Sequence, residues 1–289
     1  MSVNPVVRVT VRDHCSMGEP TSLFVRDGEA LRATELGRGP WDPNALHGGP
    51  VAALCAWVVE RHDPSPAGFV ARLTVELLRP VPVARLHVHA ATLRPGSRVH
   101  WLDVRVTDDD GRAVAAARAL RLQRADDERF DVGDAAANVP PPMPKAPDES
   151  GGVPLGIVGS LGFWSANDFR MASGDWQRPG PGAAWLRLRV PVIDDDAVTP
   201  LQRVVAAADF ASGVGNPVRL AGSGTINADL TVHLHRPAIG EWIGLDARAC
   251  ANAHGVGLCE TVLHDETGPV GRAAQSLLVQ TQVPFTRAE

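Results

Sequence analysis

The sequence predicts an α+β fold made of two tandem copies of one unit, each a central helix wrapped by an antiparallel sheet. Three observations carry the prediction. The first is a repeat: residues 71–123 align with residues 228–280 without a gap, and 15 of the 53 positions are identical. Leu73, Thr74, Val75, Leu77, Arg79 and Pro80 fall on Leu230, Thr231, Val232, Leu234, Arg236 and Pro237, and Gly111 falls on Gly268. A period of 157 residues does not suit a solenoid, so it marks the duplication of a whole domain. The second is that each copy reads as one helical stretch followed by four strands. The third is alternation: Leu230, Val232 and Leu234 share one face of their strand and Asp229, Thr231, His233 and His235 the other, the pattern of a half-buried antiparallel strand.

In the first copy the helix starts near Gly48 and runs Gly-Pro-Val-Ala-Ala-Leu-Cys-Ala-Trp-Val-Val-Glu-Arg-His. Strands are predicted near 68–79, 84–94, 98–108 and 112–123, with Asp-Asp-Asp-Gly at 108–111 as a hairpin turn. The second helix begins at Pro200, a good first-turn residue behind Thr199 as N-cap. Its strands are predicted near 225–236, 241–252, 255–266 and 269–280, turning through Asp-Glu-Thr-Gly at 265–268. A helix wrapped by an antiparallel sheet, in tandem, is a double hotdog. The units are expected at 1–125 and 181–289, joined by a Pro/Gly-rich linker and lead-in segment at 126–180. Proline should keep 126–155 free of long helix or strand.

Composition narrows the function classes. A chain of 289 residues, 44% hydrophobic, has core enough to fold unaided, and its longest apolar runs fall well short of the ~20 residues of a membrane-spanning helix. Net charge is −5 with no basic stripe, which argues against nucleic acid as a partner. Cys15, Cys55, Cys250 and Cys259 have neither metal-like spacing nor the density of a disulfide scaffold. His87 with His89, and His233 with His235, sit two apart on strands without a marked third ligand, so they read as surface histidines. Val-Gly-Ser-Leu-Gly at 158–162 lacks the first glycine of a nucleophile elbow, and Gly-Ser-Gly at 222–224 reads as a turn. The N-terminal residues carry no secretion signal, so cytoplasm is the expectation.

Two places could carry chemistry. His47, Gly48 and Gly49 open the first helix, where amides and the positive end of the helix dipole can face a carbonyl or anion, and glycine permits close approach. A substrate-binding role competes with a purely conformational one for these glycines. Asp209 is the one acid of the second helix and lies on the edge of the stripe formed by Leu201, Val204, Val205 and Ala208, where a carboxylate is partly desolvated.

The string Trp-Asp-Pro-Asn-Ala-Leu-His-Gly-Gly-Pro-Val-Ala-Ala-Leu at 41–54, with Asp-Leu-Thr-Val-His-Leu-His-Arg-Pro at 229–237, resembles the TesB-type acyl-CoA thioesterases, the thioesterase II group of double-hotdog proteins. The resemblance spans roughly 20–123 and 180–282. It implies hydrolysis of an acyl-CoA to free acid and CoA, with no metal, no cofactor beyond the substrate's own CoA, and assembly as a homodimer or larger. It further implies Asp209 as the catalytic carboxylate, with Asn227 and Gln275 as its helpers. Gln275 agrees in type with the family; Asn227 stands where the family typically has threonine. In the first copy the gapless alignment puts Arg118 opposite Gln275, and the helix offers only Glu60 at its far end, so the second copy alone holds the set.

These residue types suit the reaction: a thioester carbonyl is electrophilic, so hydrolysis needs a positioned water, a base for it, and donors for the developing oxyanion. Two rivals stay open. Asp42 through His47 also resembles the hydratase-2 signature of hotdog (R)-enoyl-CoA hydratases, in which Asp42 and His47 would be the acid–base pair, although Trp41 and Ala45 replace that signature's glycine and proline. The departure at Asn227 also leaves room for an acyl-CoA or lipid-binding protein without turnover.

Overall fold

The computed structural model describes residues 20–62, 68–124, 139–152, 162–176, 178–218 and 223–281. The N-terminal residues including Cys15, much of the 126–155 linker and most of the Val-Gly-Ser-Leu-Gly string lie outside these ranges, as does part of Gly-Ser-Gly at 222–224.

The chain opens with a hairpin, β1 (Phe24–Asp27) and β2 (Ala30–Ala33), followed by helix α1 (Gly48–Arg61). Strands β3 (Gly68–Leu77), β4 (Arg85–Arg94), β5 (Val99–Asp108) and β6 (Ala113–Gln123) come next. The second half begins with the short β7 (Gly151–Gly152), β8 (Asn167–Ser173) and β9 (Gly182–Leu188), then helices α2 (Pro200–Ala208) and α3 (Ala211–Val214). It closes with β10 (Ser223–Asn227), β11 (Asp229–Leu234), β12 (Ile243–Ala251), β13 (Val256–Asp265) and β14 (Gly268–Thr281).

Among the described residues the strands form one continuous sheet in the order β1-β2-β4-β5-β6-β3-β11-β14-β13-β12-β9-β8-β7, with β10 also paired to β14. Its centre is a local two-fold axis. Thr74 of β3 lies opposite Thr231 of β11, its own repeat partner, with the hydroxyls 3.2 Å apart, and Leu73 faces Val232 as Val75 faces Leu230. Each half therefore completes the other's sheet.

The helices fill the concave side. Gly49 through Ala56 and Val59 of α1 are all buried, more than one face can explain, as befits a helix enclosed by sheet and by a second helix. Helix α2 starts on a complete capping box, Thr199 with Gln202, and Pro200 follows the cap.

Four details differ from the sequence reading. The strand expected at 225–236 breaks at Ala228, because Ala228 donates to Ser276 O while Asp229 Oδ1 accepts Ser276 N at 2.7 Å, leaving β10 and β11 on either side of an irregularity. Helix α2 stops at Ala208, where the Phe210 N–H bonds back to Ala207 O and tightens the turn around Asp209. Strand β8 lies inside the 126–180 stretch assigned to linker and lead-in, and it pairs antiparallel with β9 as β1 pairs with β2.

The fourth is a slip in the repeat. Leu102 of β5 faces Ala119, and Cys259, 157 residues on, faces Gln275. Gln275 thus corresponds to Ala119 and not to Arg118. The first hairpin holds the extra residue, since five residues separate Thr107 from its partner Ala113 but four separate His264 from Pro269. A slip of one residue exchanges the faces of a strand, so Arg118 points outward to Asp103 while Ala119 is fully buried.

Residues 139–150 hold no helix or strand. They lie on the outer face of the second unit's sheet, where Trp185 Nε1 donates to Lys145 O and Arg170 donates to Pro147 O.

Candidate active site

Four elements bring four side chains to one buried point. His47 is the N-cap of α1, Asp209 ends α2, Asn227 is the last residue of β10, and Gln275 lies midway along β14. Asp209 is 4% exposed and Gln275 1%. His47 Nδ1 lies 2.7 Å from Asp209 Oδ2. Asn227 Nδ2 donates to Asp209 Oδ1 at 2.7 Å, and Gln275 Nε2 reaches the same oxygen and the Asp209 carbonyl at 3.4 Å each.

The donor inventory orients these groups. A carboxylate only accepts, so both amides turn their NH₂ ends toward Asp209 and their carbonyl oxygens elsewhere. Asn227 also shares its NH₂ with Asp229 O at 3.3 Å. Gln275 Oε1 is left buried without a hydrogen-bond partner, an uncompensated acceptor beside the carboxylate. His47 Nδ1 also lies 3.2 Å from the Gly49 N–H, which it could cap only as an acceptor. One nitrogen cannot accept from Gly49 and donate to Asp209 at once, and the Asp209 contact is the shorter of the two.

The glycines permit this approach. A Cβ on Gly48 would fall 2.6 Å and 2.7 Å from the two Asp209 oxygens, and one on Gly49 would strike Phe163 Cε1 at 2.5 Å and Ala206 O at 2.7 Å. The first turn of α1, with its outward amides, therefore lies against the carboxylate, where the helix dipole favours negative charge.

An aromatic wall encloses the group. The His47 ring lies 4.6 Å from that of Phe210 and 5.2 Å from that of Phe163, the two phenyl rings are stacked at 5.2 Å, and Trp164 meets Phe210 edge-on at 4.8 Å. These rings pack around the imidazole and hold it in orientation.

The structure thus brings together Asp209, Asn227, Gln275 and His47, with Gly48 and Gly49 beneath them. The sequence reading did not foresee the His47–Asp209 contact, because the two lie in different repeats. Nor did it include Phe163 and Trp164, which fall in the stretch read as linker; the aromatic density of Phe-Trp-Ser-Ala-Asn-Asp-Phe at 163–169 was the available signal. Asp42 does not join them. It is exposed, its carboxylate accepts Asn44 N at 2.8 Å in a local turn, and His47 spends its Nδ1 on Asp209, so the acid–base pair of a hydratase is not assembled. Among the described residues no cluster of His, Cys, Asp and Glu is arranged to hold a metal, and His87 is occupied with Asp109 at 3.0 Å.

The structure thus places a buried carboxylate, held by imidazole and amides, at the junction of the two helices of a tandem hotdog. The sequence names the family. Residues 37–122 match the acyl-CoA thioesterase N-terminal domain and residues 136–279 the acyl-CoA thioesterase C-terminal domain, and the chain belongs to this acyl-CoA thioesterase family.

Solved structures agree on the fold. A hot dog fold protein of Alicyclobacillus acidocaldarius is 18% identical with a TM-score of 0.67, covering 90% of this chain and 97% of its own. The tesB protein of Mycobacterium avium subsp. paratuberculosis is 17% identical at a TM-score of 0.62, covering 90% and 96%. An acyl-CoA thioesterase II of Mycobacterium marinum is 16% identical at 0.59, covering 91% and 95%. No curated protein matches the chain. No helix among the described residues is long and apolar enough to cross a membrane.

Proposed function

We propose that this acyl-CoA thioesterase hydrolyses its substrate with one water activated by Asp209, and that no covalent acyl-enzyme forms. The observation that carries the reading is the convergence of Asp209, His47, Asn227 and Gln275 from four separate elements. Gln275 Oε1, an acceptor without a partner, takes one hydrogen of the water, and Asp209 takes the other. The lone pair then faces the thioester carbon. Asn227, bonded to Asp209 Oδ1, fixes the carboxylate in the rotamer this requires, a task its amide performs in place of the threonine usual in the family.

As the water oxygen bonds to the carbonyl carbon, its proton passes to Asp209 and negative charge grows on the carbonyl oxygen. The first-turn amides of α1, bare at Gly48 and Gly49, are the donors suited to that oxygen. Collapse breaks the carbon–sulfur bond, and the CoA thiolate recovers the proton from Asp209. His47, on the other carboxylate oxygen, orients it and disperses its charge.

Cytoplasmic acyl-CoA metabolism and assembly as a homodimer or larger are the setting we propose, the latter to be read by sizing chromatography. Thiol release from a panel of acyl-CoAs tests the chemistry. Release that depends on Asp209 supports it, whereas hydration of crotonyl-CoA without thiol release, or acyl-CoA binding without either, would replace it with one of the rival readings.

A further inference from the structure

The local two-fold axis gives the Asp209 site a counterpart. That site joins the start of α1 to the end of α2. At the opposite ends of the same helices, Glu60 of α1 meets Thr199, the N-cap of α2: Glu60 Oε2 accepts from Thr199 Oγ1 and from Gln202 Nε2, each at 2.9 Å. A carboxyl near one helix's end against the other helix's N-cap resembles Asp209 against His47, although Asp209 caps its helix and Glu60 lies within the last turn of its own.

The strand positions complete the comparison. Asn227 faces Leu277 across β10 and β14, and Val70 faces Arg121 across β3 and β6, so Val70 stands where Asn227 stands in the second copy. Ala119 stands where Gln275 does. The counterpart thus presents a carboxyl, from a different position on its helix, and has apolar groups where the second copy has its two amides. A cavity of about 250 Å³ opens there, lined by Val70, Leu201 and Leu234, by Glu60, by the buried Arg121 and by the exposed Arg124.

The geometry points to a second acyl-binding site here, one that takes a short acyl chain with an anionic head, holds it and does not hydrolyse it. The inference rests on reading the Asp209 site as acyl-binding. Three features argue for this ligand. Most of the lining residues are apolar. The volume lies just below the ~300 Å³ at which ordinary small-molecule pockets begin, which admits a short chain and refuses a long one. Arg124 is exposed at the mouth, and the Arg121 guanidinium, which donates to Val59 O at 2.7 Å and His62 O at 3.2 Å, adds a second positive charge.

Burial pushes the Glu60 carboxyl above its ordinary range, against the hydrogen bonds from Gln202 and Thr199 and the charges of Arg61 and Arg121.

The shared chemistry has two sources, the substrate and the released acid, so two probes are titrated calorimetrically into the full chain: S-hexyl-CoA, a thioether that is not hydrolysed, and hexanoate. A second equivalent of either probe per chain is expected. S-hexyl-CoA in that site marks it as a substrate site, hexanoate as a product site. Val70→Phe, which fills the cavity, should remove the second equivalent. Arg124→Glu, a surface change that leaves the core alone, should weaken it ~10-fold or more, the scale of one charge-assisted contact.

A single equivalent of each probe in the unaltered chain overturns the inference. So does a second equivalent that Arg124→Glu leaves at full affinity. Because the thioether is not turned over, this result is independent of whether Asp209 is the base.

Discussion

At the scale of single residues, the proposed mechanism separates the group that reacts from the groups that hold it. Asp209→Asn keeps the shape and removes the base, so kcat should fall by ~10²-fold or more with little change in KM. Steady-state thiol release measures it, and full activity in that variant would discard the mechanism. Gln275 gives a sharper test because it separates function from stability. Its Oε1 is buried and unpartnered and its donor bonds are long at 3.4 Å, so it contributes little net stability where an orphaned acceptor costs ~1–3 kcal/mol. Gln275→Leu is therefore expected to lower kcat by ~10-fold or more while the urea midpoint stays level or rises. A variant that loses stability and keeps its turnover would make Gln275 a structural residue.

At the scale of elements, the N-terminus of α1 works because it carries no side chain where it meets α2. Gly48 and Gly49 face different neighbours, so alanine at each should fail differently. Gly48→Ala puts a methyl group against both Asp209 oxygens and should depress kcat by displacing the carboxylate. Gly49→Ala drives a methyl into the Phe163 ring and the Ala206 carbonyl, a backbone atom that cannot yield, and should cost ~1–3 kcal/mol in denaturant unfolding. Equal effects of both variants on both measurements would mean that the helix moves as a body and that the contacts are not separately tuned.

At the scale of the whole molecule, the outer face of the second unit carries a titratable group sealed under chain. His264 of β13 is 1% exposed with neither ring nitrogen hydrogen-bonded, and beside it the bare Gly244 faces Trp185 and Met143. Burial is the main cause holding its pKa below the ordinary 6.5, and the Arg236 charge adds to this against Asp246 and Asp265. The unfolded chain therefore binds this proton at a higher pH than the folded one. Stability is full above about 6.5 and declines as pH falls from there through the folded value. His264→Leu should flatten that part of the profile in urea unfolding between pH 8 and pH 5; an unchanged slope would assign the pH dependence to other groups, His235 being the next with a lowered pKa.

The sequence by itself determined the tandem plan. A period-two pattern decides which strand face is buried, and the eight strand positions read from it fall within a few residues of those observed, apart from the one split at Ala228. Glycine and proline marked the helix starts for local reasons of backbone shape. The place of Asp209 beside an apolar stripe made it a candidate, but its catalytic role, like those of Asn227 and Gln275, was reached only through family resemblance. What the sequence left undecided is whatever depends on register and on contact across the two-fold axis. The gapless repeat placed Gln275 opposite Arg118, and only the strand pairing, which counts the extra residue in the first hairpin, assigns Ala119. The His47–Asp209 contact joins residues 162 positions apart, and Glu60 meets Thr199 from 139 positions away. No local periodicity records such distances; they are set by two helices packing side by side in opposite directions, so that each end of one meets the other end of its partner.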